Sequence, residues 1–342
     1  MAGGALGLTA CRGHGNSSGA ASGGPARSQS SWKTVSLSPS AEVGLNEIAY
    51  GNGNFVIMGS YYNTNLGEVS FTSADGLNWT RHAEPASTPM GSVAYGNGRF
   101  VMVSAGGNCE GCGVGIMTSA DGYTWTAAQP APSVNKHGLS GVAYGKGTFV
   151  AVGLRGEMMS STVVILTSAD GSVWSVAKTA FPNSAPAAVT YGNGVFVAVG
   201  TGAPGENAIL TSADASTWTA AKAAPSMQTL KSVAYGNGIF VAVGQNRTGG
   251  AAILISSDGY TWTTSPYVLA SSNLTGVAFG NGTFMAVGAS HSGALPAILT
   301  SADGKAWIEQ TIFPTAGGLN AVAYGNGGFV VLTDKGNVLN YR

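Results

Sequence analysis

Short alternating apolar and polar runs, separated by glycine-rich turns, recur along most of the chain. In the first copy, Tyr50 stands five residues before Phe55 and a Gly-Asn-Gly triplet lies between them. Asn-Gly between two alternating runs favours a hairpin, because both residues tolerate positive φ. We therefore predict that each copy opens with a hairpin of two strands, a and b. The copies begin at Ile48, Val93, Val142, Val189, Val233, Val277 and Val322.

A second block, of the form Ser-Ala-Asp-Gly-x-x-Trp, follows each hairpin except the last. The Asp stands four residues before the Trp in every copy. An Asp side chain can accept hydrogen bonds from the backbone N–H groups of its own turn, and Gly can adopt a left-handed conformation. We predict a tight turn between strands c and d, with the aspartates as structural turn residues and not as catalysts. These are Asp75, Asp121, Asp170, Asp214, Asp258 and Asp303.

The copy numbers of the two blocks differ in an informative way. There are seven hairpins and seven tryptophans but six Asp turns, and the extra tryptophan, Trp32, precedes the first hairpin. The chain ends at Arg342, where strand c of the last unit is expected. Residues 28–342 are thus predicted to be an all-β, seven-bladed β-propeller of four-stranded antiparallel blades. The strand at Trp32 would pair with the C-terminal blade and close the ring, which removes exposed sheet edges.

The Ser-Ala-Asp-Gly-x-x-Trp block resembles the Asp-box (BNR) repeat of sialidases, sortilin-type propellers and photosystem II assembly-factor-like proteins. The resemblance covers residues 32–342, although Gly directly follows Asp here, one position earlier than in the usual motif. It implies a propeller fold in which the Asp turn is structural and lies away from any active site. A shared fold does not by itself specify a function.

Residues 1–27 differ from the repeats in composition. The tetrapeptide that ends at Cys11 resembles a bacterial lipobox, and the Ser/Gly/Ala-rich run after it is typical of a flexible tether. We therefore expect lipidation at Cys11 and an extracellular or cell-surface location. The alternative is a low-complexity N-terminus with an incidental cysteine, since the apolar run is short and lacks a preceding Lys or Arg.

Charge and cysteine content narrow the chemistry. With 15 basic and 15 acidic residues, the chain lacks the basic footprint of a nucleic-acid-binding protein. Cys109 and Cys112 form a C-x-x-C pair, which can be a disulfide, a redox pair or half of a zinc site. A structural zinc site needs four ligands and the sequence has no second cysteine pair, so we favour a disulfide. No cofactor and no metal are predicted.

Length variation falls only on the b–c and d–a loops, which share one face of such a blade, and loops on a rigid scaffold often carry function. We therefore expect a ligand-binding site on that face, near the central channel. Glu47, Asn46 and Asn320 precede strand a and would point toward the channel, whereas Lys231 lies in a d–a loop. The Tyr61–Tyr62 pair could stack on a sugar or a peptide. The full set of candidates is Tyr61, Tyr62, Glu68, Arg155, Glu157, Arg247, His291, Glu47 and Lys231.

These features favour a binding or scaffold module for a glycan or protein ligand. Because six of the seven aspartates lie in turns and few arginines fall on the variable face, we predict that the chain is not an enzyme. The alternative is a sialidase-like glycoside hydrolase, which would need two suitably placed carboxylates or a tyrosine nucleophile with an arginine cluster. A purely structural surface protein is the third interpretation.

Overall fold

The computed structural model describes most of the repeat region, and every regular element in it is a β-strand. All of these residues belong to one compact unit, Ser31–Arg342. The all-β prediction is thus confirmed for the described residues, which are 32–38, 42–62, 68–83, 90–104, 115–128, 138–155, 162–177, 184–202, 209–221, 229–267, 272–290, 296–310 and 317–342.

The 28 strands of the described residues pair antiparallel in groups of four. Group 1 contains β2–β5, at Val43–Gly51, Asn54–Tyr61, Glu68–Ser73 and Thr80–Ala83. Group 2 contains β6–β9, at Met90–Gly96, Arg99–Ser104, Ile116–Ser119 and Thr126–Ala127. Group 3 contains β10–β13, at Leu139–Gly145, Thr148–Arg155, Thr162–Ser168 and Ser175–Val176. In each group these are strands a, b, c and d in chain order.

Groups 4 and 5 are also linked to each other, by one extra pair between Thr201 and Thr229. Group 4 contains β14–β17, at Ala185–Gly192, Val195–Thr201, Ile209–Ser212 and Thr219–Ala220. Group 5 contains β18–β21, at Thr229–Gly236, Ile239–Gln245, Ala251–Ser256 and Thr263–Thr264. Group 6 contains β22–β25, at Ser272–Gly280, Thr283–Ser290, Pro296–Ser301 and Ile308–Glu309.

Group 7 combines the two ends of the described chain. It contains β26–β28, at Leu319–Gly325, Gly328–Thr333 and Asn337–Tyr341, together with β1, Trp32–Ser36. Strand β1 pairs with β28 from Trp32↔Tyr341 to Ser36↔Asn337, so β1 occupies the position of strand d. The Trp32 and Tyr341 rings pack with their centroids 4.8 Å apart.

The a–b hairpins have the predicted backbone and an additional role that the sequence did not reveal. The central residue of each turn has positive φ, 49° at Asn52 and also 49° at Lys146, the one copy without Asn. In several copies its side chain donates a hydrogen bond to the carbonyl oxygen just before the Asp of the next group. These bonds join Asn97 to Ala169, Lys146 to Ala213, Asn193 to Ser257, Asn237 to Ala302 and Asn326 to Ala74.

Neighbouring groups touch through a ring placed on a glycine. The Gly that ends strand a has no room for a Cβ, because the aromatic ring at the end of the next strand a packs against it. The pairs are Gly51–Tyr95, Gly96–Tyr144, Gly145–Tyr191, Gly192–Tyr235, Gly236–Phe279, Gly280–Tyr324 and Gly325–Tyr50. The last pair joins group 7 to group 1, so the first and last groups meet through the same contact as successive groups.

The core lies between the groups, where the repeat tryptophans were expected. Trp125, Trp174, Trp218, Trp262 and Trp307 are buried, while Trp32 and Trp79 are partly buried against core clusters. Trp218 of group 4, for example, shares a cluster with Val150 and Val152 of group 3. Such burial stabilises each group only when its neighbour is present.

Strand β1 gives a direct test of how far group 7 depends on the N-terminal strand. Deleting residues 1–36 removes the five residue pairs between β1 and β28 and the Trp32–Tyr341 contact. We expect it to lower the free energy of unfolding by ~3 kcal/mol or more, the usual cost of losing a packed aromatic residue. Deleting residues 1–31 leaves β1 intact and serves as the control. Denaturant unfolding of both proteins measures the difference, and equal midpoints would contradict the dependence.

Candidate functional site

The Asp turns form self-contained hydrogen-bonded loops. The Asp214 carboxylate accepts the backbone N–H groups of Ser216 and Thr217 and the Ser212 hydroxyl. The N–H bonds, that of Thr217 foremost, lower the pKa of Asp214 to about 2. Ala215 takes the place of the usual Gly and adopts a φ of 63°. The same bonding at the other five aspartates directs these carboxylates at their own turns.

A β-bulge recurs in strand a of every described group. The register against strand b shifts by one residue just after the start of strand a, which leaves one residue without a partner. Bulges re-aim side chains and often lie next to functional sites. The unpartnered residues are Asn46, Gly91, Ser140, Ala187, Lys231, Thr275 and Asn320.

The bulges surround a cavity of about 140 Å³, here named the strand-a cavity. It lies at the end of strand a that faces the b–c loops, because Leu45 pairs with Gly59 and Val43 with Tyr61 at the end of strand b. The wall is polar, with alanine, glycine and valine between the polar side chains. The polar lining residues are Glu47, Ser92, Ser140, Lys231, Ser232, Thr275 and Asn320.

Several bulge side chains fix the wall of the strand-a cavity to the next group. Thr275 Oγ1 donates to the Leu319 carbonyl oxygen at 2.6 Å, and Asn320 Nδ2 donates to that of Leu45 at 2.8 Å. Ser140 Oγ donates in the same way to the Pro186 carbonyl oxygen. These three acceptors occupy the same repeat position, directly before the bulge of the neighbouring strand a. The wall is therefore held by bonds that run between groups.

Glu47 and Lys231 are the charged residues of this wall. Burial raises the pKa of Glu47 to about 7, although the backbone N–H of Ile48 partly opposes that rise. Burial likewise lowers the pKa of Lys231. In the described part of the chain no opposite charge lies close enough to shift either pKa. The strand-a cavity thus holds one acidic and one basic group that both lack a counter-charge.

Glu68 lies behind this wall and inside the protein. Asn46 Nδ2 donates to Ser60 Oγ at 2.8 Å, and Ser60 Oγ donates to Glu68 Oε2 at 2.6 Å. Burial raises the pKa of Glu68, while the Ser60 hydrogen bond lowers it. This chain of bonds connects the bulge of group 1 to the start of its strand c.

The two neighbouring tyrosines do not form one stacking surface. Tyr61 packs against the core, and the Arg81 guanidinium lies over its ring, 5.5 Å from the centroid. Tyr62 is 56% exposed, and its hydroxyl donates to the Asp334 carbonyl oxygen at 3.0 Å. Arg247 is exposed in a loop whose backbone N–H groups, those of Thr248 and Gly250, donate to Asn246 Oδ1. Of the predicted site residues whose side chains the structure describes, Glu47 and Lys231 alone line one cavity together.

Other predicted positions lie outside the described residues. These are Cys11, Cys109, Cys112, Glu157 and His291, as well as the side chain of Arg155, whose backbone ends β11. In the described part of the chain, no cluster of three or more His, Cys, Asp or Glu side chains could hold a metal ion. Nor does that part contain a helix with the length and hydropathy needed to cross a membrane.

No sequence pattern indicates the bulges that shape the site. Ser140, Thr275 and Asn320 carry the bonds between groups, and Ser92 lines the strand-a cavity, yet none of them belongs to a recognisable motif. The signal that could have identified them is positional. Each of the three bonding residues stands four residues before the repeat Tyr or Phe, a position that holds six different residue types in the seven copies.

Comparisons with solved structures show the same fold. Catalytically inactive H270A virginiamycin B lyase from Staphylococcus aureus with quinupristin has a TM-score of 0.72 at 12% identity, over 92% of this chain and 99% of that chain. YCF48 bound to D1 peptide has a TM-score of 0.63 at 14% identity, over 91% and 94%. No family model and no curated protein matches the chain. The strand groups and these likenesses define the fold as a β-propeller built of repeats.

The comparisons also correct one prediction. The prediction that the chain is not an enzyme is wrong as an inference from the fold, because solved structures of the same fold include the virginiamycin B lyases. At 11–12% identity this likeness assigns no reaction to the present chain. The count of aspartates in turns left out Glu47, a half-buried glutamate whose pKa of about 7 lies near neutral pH.

Glu47 makes stability depend on pH in a defined direction. Its pKa rises from 4.5 to about 7 on folding, so the folded state holds a proton that the unfolded state releases between these values. The contribution of Glu47 to the free energy of unfolding is complete below pH ~4.5 and is lost as the pH rises to ~7. The loss is ~3 kcal/mol, at 1.36 kcal/mol per pKa unit. Glu47→Gln should therefore be more stable than wild type at pH 8 and about equal to it at pH 4.5.

Urea unfolding at the two pH values measures the effect. The exposed Glu309 provides the control, since Glu309→Gln makes the same chemical change on a strand d. A Glu47→Gln protein with the same stability difference from wild type at both pH values would contradict the raised pKa.

Proposed function

We propose that this chain is a closed, seven-bladed β-propeller that binds a peptidic ligand at the strand-a cavity. The observation that carries the proposal is the presence of Glu47 and Lys231 in the wall of one polar cavity, each half-buried and without a counter-charge among the described residues. An isolated buried charge is costly, and proteins normally pair it or neutralise it. Two such groups facing one space are explained if a ligand supplies the opposite charges.

The closed ring is supported by the repetition of one set of contacts. Strand β1 completes group 7, the Tyr50 ring packs on Gly325, and Asn326 and Arg342 donate to carbonyl oxygens of group 1. Asn320 likewise bonds to Leu45. The repeat is proposed to be of the Asp-box type, and the Ser–Asp–backbone bonds of each turn are consistent with that assignment.

The chemistry of the cavity favours a peptide over a glycan. Sugar recognition usually places aromatic faces against the ring, whereas no aromatic side chain lines the strand-a cavity among the described residues. Carboxyl, ammonium, hydroxyl and amide groups instead match the charged ends and the amides of a peptide. One solved structure of this fold, YCF48, contains a bound peptide, which shows that a propeller can carry such a ligand.

Binding can be tested with a displayed peptide library. Peptides selected on the immobilised protein are labelled, and their dissociation constants are measured by fluorescence polarisation. The double variant Glu47→Gln/Lys231→Met should weaken binding at least ~10-fold, as expected when charge-assisted contacts are lost. The matched control is Glu309→Gln/Lys33→Met, which makes the same two changes at exposed strand-d positions.

Two results would overturn the proposal. One is a set of selected peptides that binds the cavity variant as tightly as wild type. The other is a selection that enriches no binder above a column without protein. Thermal unfolding of both double variants verifies that they are folded at the assay temperature.

We extend the proposal to location: the protein acts outside the cell, anchored through a lipid on Cys11. The support is the lipobox-like tetrapeptide and the Ser/Gly-rich run that follows it. In a bacterial host supplied with labelled palmitate, the full chain should incorporate label and sediment with membranes, whereas Cys11→Ser should do neither. Equal labelling and sedimentation of both proteins would refute the anchor.

A further inference from the structure

We infer that the strand-a cavity binds a small free zwitterion, with its carboxylate on Lys231 and its ammonium on Glu47. This inference rests on the proposed function and narrows the ligand to an amino acid or a dipeptide. Three features support this ligand: the size of the cavity, the placement of the two charged groups on distant strands, and the hydrogen-bonded wall between them.

The cavity is small. Its volume of about 140 Å³ is close to the ~150 Å³ of an engineered cavity that binds benzene. That space fits an amino acid or part of a dipeptide, but not a folded segment of a partner protein. A longer ligand would have to leave most of its chain outside.

The two charged groups stand on distant strands. Glu47 belongs to strand a of group 1 and Lys231 to strand a of group 5, so at least two other groups lie between them in either direction along the repeat order. They nevertheless line the same cavity and form no ion pair within 4 Å among the described residues. A ligand with one charge at each end offers an opposite charge to both groups, whereas a single ion can satisfy only one of them.

The rest of the wall is preorganised. Thr275 and Asn320, which stand between the two charged groups in the repeat order, are held by hydrogen bonds to the next strand a. On the other side, Ser140 is held in the same way. Bonds of this kind keep the charged side chains from collapsing onto each other, and preorganisation reduces the entropic cost of binding. Among the described residues, Lys231 is the basic group that faces the cavity and Glu47 is the acidic group; the rest of the wall is neutral.

Binding should be linked to protons. Glu47 is half-ionised near pH 7 because burial raises its pKa, and it must lose its proton to pair with an ammonium group. Glu68 is the next carboxyl group, connected through Ser60 and Asn46 behind the wall, and it does not face the cavity. A ligand that is already zwitterionic should therefore bind with proton release to the solvent near neutral pH.

Calorimetry with glycylglycine tests these points on the full wild-type protein. We expect binding at pH 8 and an affinity about fivefold lower at pH 6, because only about a tenth of Glu47 is ionised at pH 6 while about half of the peptide's ammonium remains at pH 8. Titration near pH 7 in two buffers of different ionisation enthalpy should reveal proton release. Two capped analogues should each bind at least ~10-fold more weakly. They are N-acetylglycylglycine, which lacks the ammonium, and glycylglycinamide, which lacks the carboxylate.

Variants assign each charge to its residue. Lys231→Met should bind glycylglycine and its amide equally, and Glu47→Gln should lose the dependence on pH between 6 and 8. Glu309→Gln and Lys33→Met, at exposed positions, should match wild type. The inference would be overturned if the capped analogues bound the wild type as tightly as glycylglycine. It would also be overturned if glycine, β-alanine and glycylglycine gave no heat of binding at millimolar concentration.

The outcomes separate this inference from the proposed function. Selected peptides that need Glu47 and Lys231, together with no binding of free zwitterions, would leave the proposed site standing and refute the zwitterion. Free zwitterions that bind wild type and both cavity variants alike would refute the inference, because the ligand would then lie elsewhere. If neither peptides nor zwitterions bind, the inference and the proposed function both fail.

Discussion

The contact between neighbouring strand groups depends on an aromatic ring that packs against a glycine with no room for a Cβ. The ring of Tyr95 fills the space where a side chain at Gly51 would lie, and the contact recurs through all the groups to Tyr50 on Gly325. It brings successive strands a closer than two ordinary side chains would allow. At the other end of strand a, the β-bulge leaves one residue of each strand outside the ladder with strand b.

The bulge also explains why chemistry collects where it does. A residue outside the ladder is not required for strand pairing, so its side chain is available for other contacts. In groups 3, 6 and 7 that side chain bonds to the neighbouring strand, through Ser140, Thr275 and Asn320. In group 5 the same position holds Lys231, which faces the strand-a cavity. One backbone irregularity, repeated in every group, thus supplies both the cross-links of the wall and one of its charges.

The sequence predicted the parts of the fold that depend on local conformation. Asn-Gly turns and Asp turns specify their own backbone, so Asn52 and Asp75 were assigned correctly from spacing alone. The register shift of strand a has no local signature, because it depends on how strands pair in space. For the same reason the sequence could place Glu47 and Lys231 near the start of strand a but could not show that they share a cavity. Nor could it show that Tyr61 and Tyr62 separate, since one of them packs into the core.

Physical consistency distinguishes the site from its scaffold. Residues shared by the copies satisfy local rules: the aspartates accept the N–H groups of their turns, the tryptophans are mostly buried, and the hairpin residues adopt the φ values they tolerate. Glu47 and Lys231 are half-buried charged groups for which the described residues supply no counter-charge, and this lowers the stability of the empty protein. Proteins retain such violations chiefly at functional positions. Because a carboxyl group with a pKa near 7 changes its protonation state at neutral pH, a ligand that pairs with Glu47 would also shift its proton equilibrium.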